Sequence, residues 1–220
     1  MRITWYGHAS FLVETQGRRI ILDPFRSPDS GGYEPIDEPA DLVIVSHEND
    51  RYHSHLGQIV RPFEVLKALE IPSGGVDYFG LTFEAIRVYE SPERKSGDEV
   101  TIIHFRSEGL HVVFLGDLGH ALEPAEIQPL IGADVVLIPA GGTPTIDLSE
   151  IPALLKAIRP RLILPMHYKT PKINLKIEPL EAFLAVLPRL ASTRPGTTWI
   201  DVNRQTLPDT PQIVVLEHAR

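Results

Sequence analysis

The chain has 220 residues, 43% hydrophobic and 23% charged, with no cysteine and a formal net charge of −8. This is the composition of a soluble globular protein long enough to bury a core without disulfides. It excludes a thiol nucleophile and every thiolate metal site, leaving imidazole, carboxylate and amide oxygen as ligands.

The first third reads as short strands at residues 3–5, 11–14 and 19–22, joined by glycine-bearing turns, and a strand at 41–46 whose continuous apolar run fits burial on both faces. Residues 23–40 are dense in Pro, Gly, Asp and Ser and form a long irregular connection, the kind that serves as a lid or binding surface. Residues 56–71 fit either helix or strand, and Pro62 forbids one uninterrupted helix there. Two strands follow over 76–89, then a hairpin of 100–106 with 111–115. The remainder alternates: helix 124–131, strand 135–139, helix from about 148 to 158 with Asp147 or Ser149 as N-cap, strand 162–165, helix 179–190, and strands near 198 and 213. No repeat or linker divides the chain, so one domain spanning 1–220 is expected, with two sheets face to face and helices outside.

The acidic balance argues against nucleic acid or an anionic membrane as the main partner, no apolar run reaches the roughly 20 residues of a membrane span, and the first residues read as a strand rather than a targeting segment. A cytoplasmic protein is expected. Twenty prolines, two methionines and an excess of arginine over lysine suit a heat-adapted source.

Chemistry is expected where polar residues end buried strands, because a rigid strand end can hold a side chain in place. Four such ends stand out: residues 46–55, which carry His47, His53 and His55; Tyr89-Glu90; Gly116-Asp117 with His120; and His167-Tyr168-Lys169. A His-rich turn, then a Gly-Asp, then a late single His would converge nitrogen and oxygen ligands on one edge of a sandwich.

With Trp5-Tyr6-Gly7-His8-Ala9-Ser10-Phe11, Ile21-Leu22-Asp23-Pro24-Phe25, Val43-Ile44-Val45-Ser46-His47, Phe114-Leu115-Gly116-Asp117-Leu118-Gly119-His120, Leu137 to Thr143 and Pro165 to Thr170, the chain resembles the metallo-β-lactamase superfamily. Within it, the likeness is to zinc-dependent hydrolases related to ascorbate-6-phosphate lactonase. The resemblance implies a four-layer αββα sandwich with the site along one edge. It also implies an H-x-H-x-D-H motif after the Val-Ser strand, and here the chain departs: His47 keeps the first position, but Asn49, Arg51 and Tyr52 take the others, and Glu90 takes the place of a further histidine. His47, Asp117 and His167 are retained. Arg51 cannot donate a lone pair, so it would replace a cation and pair with Asp117.

Two functions fit. In the first, one divalent metal (Zn, Mn or Fe) is held by His47, Asp117 and His167 with Glu90 or Asn49, or by a slipped turn in which Asp50, His53 or His55 fill the gaps. Asp117 or Glu90 then orients or deprotonates a water that attacks a small ester, lactone or phosphate-bearing metabolite. Arg51, Arg26 or Lys169 would receive an anionic group, with Tyr52 and His120 lining the cleft. In the second, no metal binds and the Arg51–Asp117 cleft holds an anionic ligand or a protein; assembly as a homo-oligomer is a further option. His8 is read as pinning its turn through a side-chain hydrogen bond, and His104 and His111 as structural.

Overall fold

The computed structural model describes residues 1–220 as two sheets, built from fourteen strands and three short α-helices. The strands are β1 (Arg2–Gly7), β2 (Ser10–Thr15), β3 (Arg18–Leu22), β4 (Leu42–Val45), β5 (Glu64–Lys67), β6 (Val76–Tyr78), β7 (Leu81–Tyr89), β8 (Glu99–Ser107), β9 (Leu110–Phe114), β10 (Val135–Pro139), β11 (Leu162–Met166), β12 (Ala191–Thr193), β13 (Trp199–Asp201) and β14 (Gln212–Val214). The helices are α1 (Pro124–Ile127), α2 (Ile151–Ile158) and α3 (Leu180–Ala185). One sheet runs β13-β1-β2-β3-β4-β5 and the other β12-β14-β11-β10-β9-β8-β7-β6. No helix is long and apolar enough to cross a membrane.

Period-two alternation decides which residues join the sheets. Phe11, Val13, Ile20, Leu22, Leu42 and Ile44 of the first sheet share one apolar core with Phe83, Ile103, Phe105, Val112 and Phe114 of the second. Their neighbours Leu12, Ile21, Val43 and Val45 face the other way and pack on Phe25, Tyr33, Ile36 and Ala40. The 23–40 connection is therefore the outer layer of the six-stranded sheet, filling the place of a helix there, while α2 and α3 contribute Ile151, Leu154, Ile158 and Phe183 to the main core. β4, flanked by parallel β3 and β5, is buried along its whole length, which is why it reads as a continuous apolar run.

Helices are shorter than the sequence suggests, for local reasons. After α1 the chain continues as a 3-10 turn at Gln128–Leu130, because Pro129 has no amide to extend the α-helical ladder. α3 stops at Ala185, ahead of Pro188, whose ring disfavours helical backbone at the residue before it. Asp147 caps the middle segment, accepting from the Ser149 amide at 2.8 Å, but the first turn is 3-10 and α2 begins at Ile151. The undecided 56–71 stretch holds β5 and a 3-10 turn at Ala68–Glu70.

His104 and His111 lie on β8 and β9, their rings 5.6 Å apart. Both nitrogens of buried His111 lack partners, and burial, followed by the charges of Arg106 and His104, lowers its pKa to about 4. The folded ring stays neutral where the unfolded one takes up a proton, so its contribution falls as pH drops from about 6.5 to about 4, by roughly 3 kcal/mol in all. His111→Leu should unfold near the wild-type denaturant midpoint at pH 7 and lose less stability than wild type by pH 4. Parallel curves for the two proteins would refute this.

Candidate metal centre

Six strand ends of the two sheets deliver the site. His8 follows β1, Asp23 follows β3, Ser46 and His47 follow β4, Glu90 follows β7, Asp117 lies three residues past β9, and His167 follows β11. His8, Asp23 and His167 all have positive φ, at 50°, 43° and 49°. Left-handed backbone is disfavoured for such residues, and strain of this kind gathers at functional sites. The Gly-Asp-Leu-Gly turn is seated by Gly119, whose amide donates to the Tyr89 carbonyl at 2.8 Å. A Cβ there would lie 1.7 Å from the Glu90 carbonyl oxygen.

One chain of hydrogen bonds fixes proton positions. Asp23 accepts from the Ser46 amide at 2.7 Å and from the Ser46 hydroxyl at 2.5 Å. Since that hydroxyl has spent its only hydrogen, its 3.0 Å contact with His47 Nδ1 must be donated by the imidazole. His47 is thereby held as the Nδ1–H tautomer, with the Nε2 lone pair unused. Burial, then the charge of His53, lowers its pKa to about 4 and keeps it neutral.

His53 sits between two buried carboxylates, Nδ1 3.0 Å from Asp23 Oδ2 and Nε2 2.8 Å from Asp117 Oδ2. Burial alone would lower its pKa, but the charge of Asp117 and the hydrogen bonds to both carboxylates outweigh it and raise it to about 10. Asp117 is held well below the usual carboxylate range, since the charge and hydrogen bond of His53 overcome the penalty of burial. Around this pair the rings of His8, His47 and His167 close in: His8 to His167 is 4.3 Å between centroids, His47 to His53 4.4 Å and His8 to His53 5.0 Å. Burial pushes His8 and His167 down as well, so both are neutral imidazoles.

The unused atoms test whether a divalent cation fits. His8 Nδ1 and Nε2, His47 Nε2, Asp117 Oδ1 and His167 Nδ1 are all buried without a partner, a costly arrangement for polar atoms that nothing contacts. Ligand atoms of His8, His53 and His167 lie within 4.8 Å of one another, as do those of Asp23, His47 and His53. Neutral imidazoles and a carboxylate are the donor set of a zinc-type ion, so His8, His47, His167 and Asp117 fit as they stand, and His53 fits once it loses the proton it donates to Asp117.

The turn after β4 differs from the expected one. Asn49 O accepts from the amides of Tyr52, His53 and Ser54 at 3.1, 2.8 and 3.0 Å, and this tight turn swings Arg51 outward while bringing His53 in. Exposed Arg51 donates from Nε to the Asp29 carbonyl at 2.7 Å, so the anticipated Arg51–Asp117 pair does not form; His53 takes the position beside Asp117. Asp50 is exposed and engaged by Arg26 and His55, and the Asn49 side chain accepts from the Tyr52 amide, which takes Asn49, Asp50 and His55 out of the ligand set. Tyr52 stacks on His8 at 5.2 Å and covers the cluster. Lys169 donates to the carbonyls of Ile173 and Leu175, and Arg26 is paired with Asp29 and Asp50, so neither is free to receive an anion. His120 accepts from the Tyr89 amide through Nε2, a structural role. Glu90 is half-buried beside the cluster, its pKa raised by burial and by the charge of Asp117.

Two participants escaped the sequence reading. His8 does not pin its turn through its ring, which has no hydrogen bond; its carbonyl does so, accepting from Trp5 Nε1 at 3.0 Å and the His167 amide at 2.9 Å. In the sequence, Asp23 reads as the start of a loop and as part of a family motif, with no role in the site. Both are polar residues just past buried strands, the same signal that singled out the other four ends.

A family profile described as "Beta-lactamase superfamily domain" matches residues 2–167, from β1 to the last histidine of the cluster. The chain belongs to the metallo-β-lactamase superfamily. Among curated relatives, a "UPF0173 metal-dependent hydrolase" of Thermofilum pendens is 30% identical over 77% of this chain and 84% of its own length, and a UPF0173 protein of Pyrococcus abyssi is 29% identical over 77% and 84%. A metallo-β-lactamase superfamily structure from Thermotoga maritima superposes with a TM-score of 0.76 at 28% identity, covering 98% of both chains. Membership places the chain among the metal-dependent hydrolases of that fold.

Proposed function

We propose that this metallo-β-lactamase-fold protein hydrolyses a small ester or lactone, with one divalent cation held by His8, His53, His167 and Asp117, His53 giving up on metal binding the Nε2 proton it otherwise donates to Asp117. The observation that carries this reading is the gathering of the His8, His53 and His167 ligand atoms within 4.8 Å of one another, with buried partnerless atoms on His8, His167 and Asp117. Both candidate triads include His53, which supports one ion rather than two. The triad of His8 and His167 is the better holder, because the oxygens of Asp23 already accept from Ser46 and His53. When bound, the ion supplies Lewis-acid polarisation of the scissile group and the attacking water.

The chain's own groups do the rest. Glu90, whose pKa is raised by burial and by the charge of Asp117 and which is thereby a stronger base than an exposed carboxylate, takes the proton of the attacking water and returns it to the leaving oxygen. Tyr52 shields the cluster from bulk water. Arg26, Arg51 and Lys169 are turned away or engaged, which supports an uncharged acyl substrate over a phosphate-bearing one.

Elemental analysis of protein purified without chelator should find about one equivalent of zinc, manganese or iron. The same protein should hydrolyse p-nitrophenyl butyrate or δ-valerolactone, lose that activity on chelation and regain it with metal. Protein that neither carries nor takes up metal, and turns over neither compound, would remove the proposal.

Ser46→Ala probes the proton chain. Outer hydrogen bonds that fix a site's histidines and carboxylates are worth roughly 10–100-fold in metal affinity, and a loss of that size is expected in competition with a chromophoric chelator, with the fold retained. An unchanged affinity would mean that Ser46 and Asp23 do not support the site.

A further inference from the structure

A groove of about 470 Å³ lies between α2, the start of β11 and the segment that follows α3. Its floor is Leu155, Ile163 and Leu187, all buried, with half-buried Leu190 and three prolines completing the walls. The only hydrophilic side chains lining it are Lys156 and Arg159, both exposed at the rim. The volume falls in the roughly 300–1,000 Å³ typical of small-molecule sites. It is separate from the metal centre: Ile163 is near the start of β11, whereas His167 lies just beyond its far end, roughly 13 Å along an extended strand.

The charges are what make the groove specific. In a chain with net charge −8, the neighbouring Arg161 pairs with Asp209 and Arg194 with Glu181. No carboxylate lines the groove, and two cations stand over an otherwise apolar trough. An apolar body with one anionic end matches both features, because the tail removes the trough from water while the head meets cations that desolvation of the trough would strengthen.

We propose that this groove binds a medium-chain fatty carboxylate, tail along Leu155, Ile163, Leu187 and Leu190 and carboxylate between Lys156 and Arg159. The site is independent of hydrolysis at the metal centre.

The test uses the full-length protein and dodecanoate below its micellar concentration, followed by titration calorimetry. Dodecanoate should bind at a single site, and dodecanol about tenfold or more weakly, as expected for loss of a charge-assisted contact. Lys156→Glu/Arg159→Glu, on the surface and outside the metal centre, should fold, keep the basal hydrolytic rate and lose dodecanoate affinity by a similar factor. Absence of dodecanoate binding to wild type would overturn the proposal. So would equal affinity for dodecanol, or an affinity indifferent to the charge reversal. Sedimentation showing that wild type buries this groove in a dimer and thereby excludes dodecanoate would assign it to a second copy instead.

Discussion

Replacing His53 with alanine should destabilise the metal-stripped protein by roughly 3–5 kcal/mol, the range expected when one partner of a buried charge pair is removed. His53 is fully buried and its two nitrogens lie 3.0 and 2.8 Å from Asp23 and Asp117, both also buried. Without the ring, two carboxylates face each other across a cavity with no counter-charge, and only Asp23 keeps other donors, the amide and hydroxyl of Ser46. For a chain of this length the loss corresponds to a fall in Tm of roughly 6–20 °C. The companion variant His53→Ala/Asp117→Asn separates charge from packing: removing one of the stranded charges should recover a substantial part of the loss, a non-additivity that a cavity alone would not produce. If His53→Ala unfolds within about 1 kcal/mol of wild type, or if the added Asp117→Asn deepens the defect, the ring is not what holds the two carboxylates together.

That His53 rather than Arg51 meets Asp117 also marks how far the sequence could be read. The sheets were legible because their residues obey a simple rule: alternating apolar positions such as those of β2 and β3 face one core or the other, and continuous apolar runs such as β4, β10 and β11 are covered on both faces. The strand ends followed from the sheets, and with them the convergence of His47, Asp117 and His167. The turn after His47 follows no such rule. Its course is set by three amides gathering on the Asn49 carbonyl, a backbone arrangement that no side-chain pattern announces, and a shift of one or two residues along it exchanges a guanidinium for an imidazole. His8 was hidden differently. A histidine in a tight turn invites a structural role for its ring, whereas here the carbonyl makes the structural contacts and leaves the ring free.

His167→Ala is expected to abolish metal-dependent hydrolysis and to weaken metal binding beyond the roughly 10–100-fold cost of losing an outer partner. His167 is the best placed of the site residues for this test, because its removal disturbs least. Its Nδ1 has no partner and its Nε2 is 3.7 Å from Asp117, too far for a hydrogen bond. The backbone bond that seats it, from its amide to the His8 carbonyl, survives truncation. Stability of the metal-free protein should therefore fall only by the packing lost with one buried ring, whereas His53→Ala should fall by the larger electrostatic amount. The two variants thus separate the two jobs of the cluster: His53 holds the carboxylates in the folded chain, and His167 is kept in a strained backbone conformation, with φ at 49°, to offer an unused lone pair. Metal affinity by competition and hydrolysis of p-nitrophenyl butyrate are the readouts. A His167→Ala protein that binds zinc as wild type does and retains turnover would show that the strained histidine serves the fold alone.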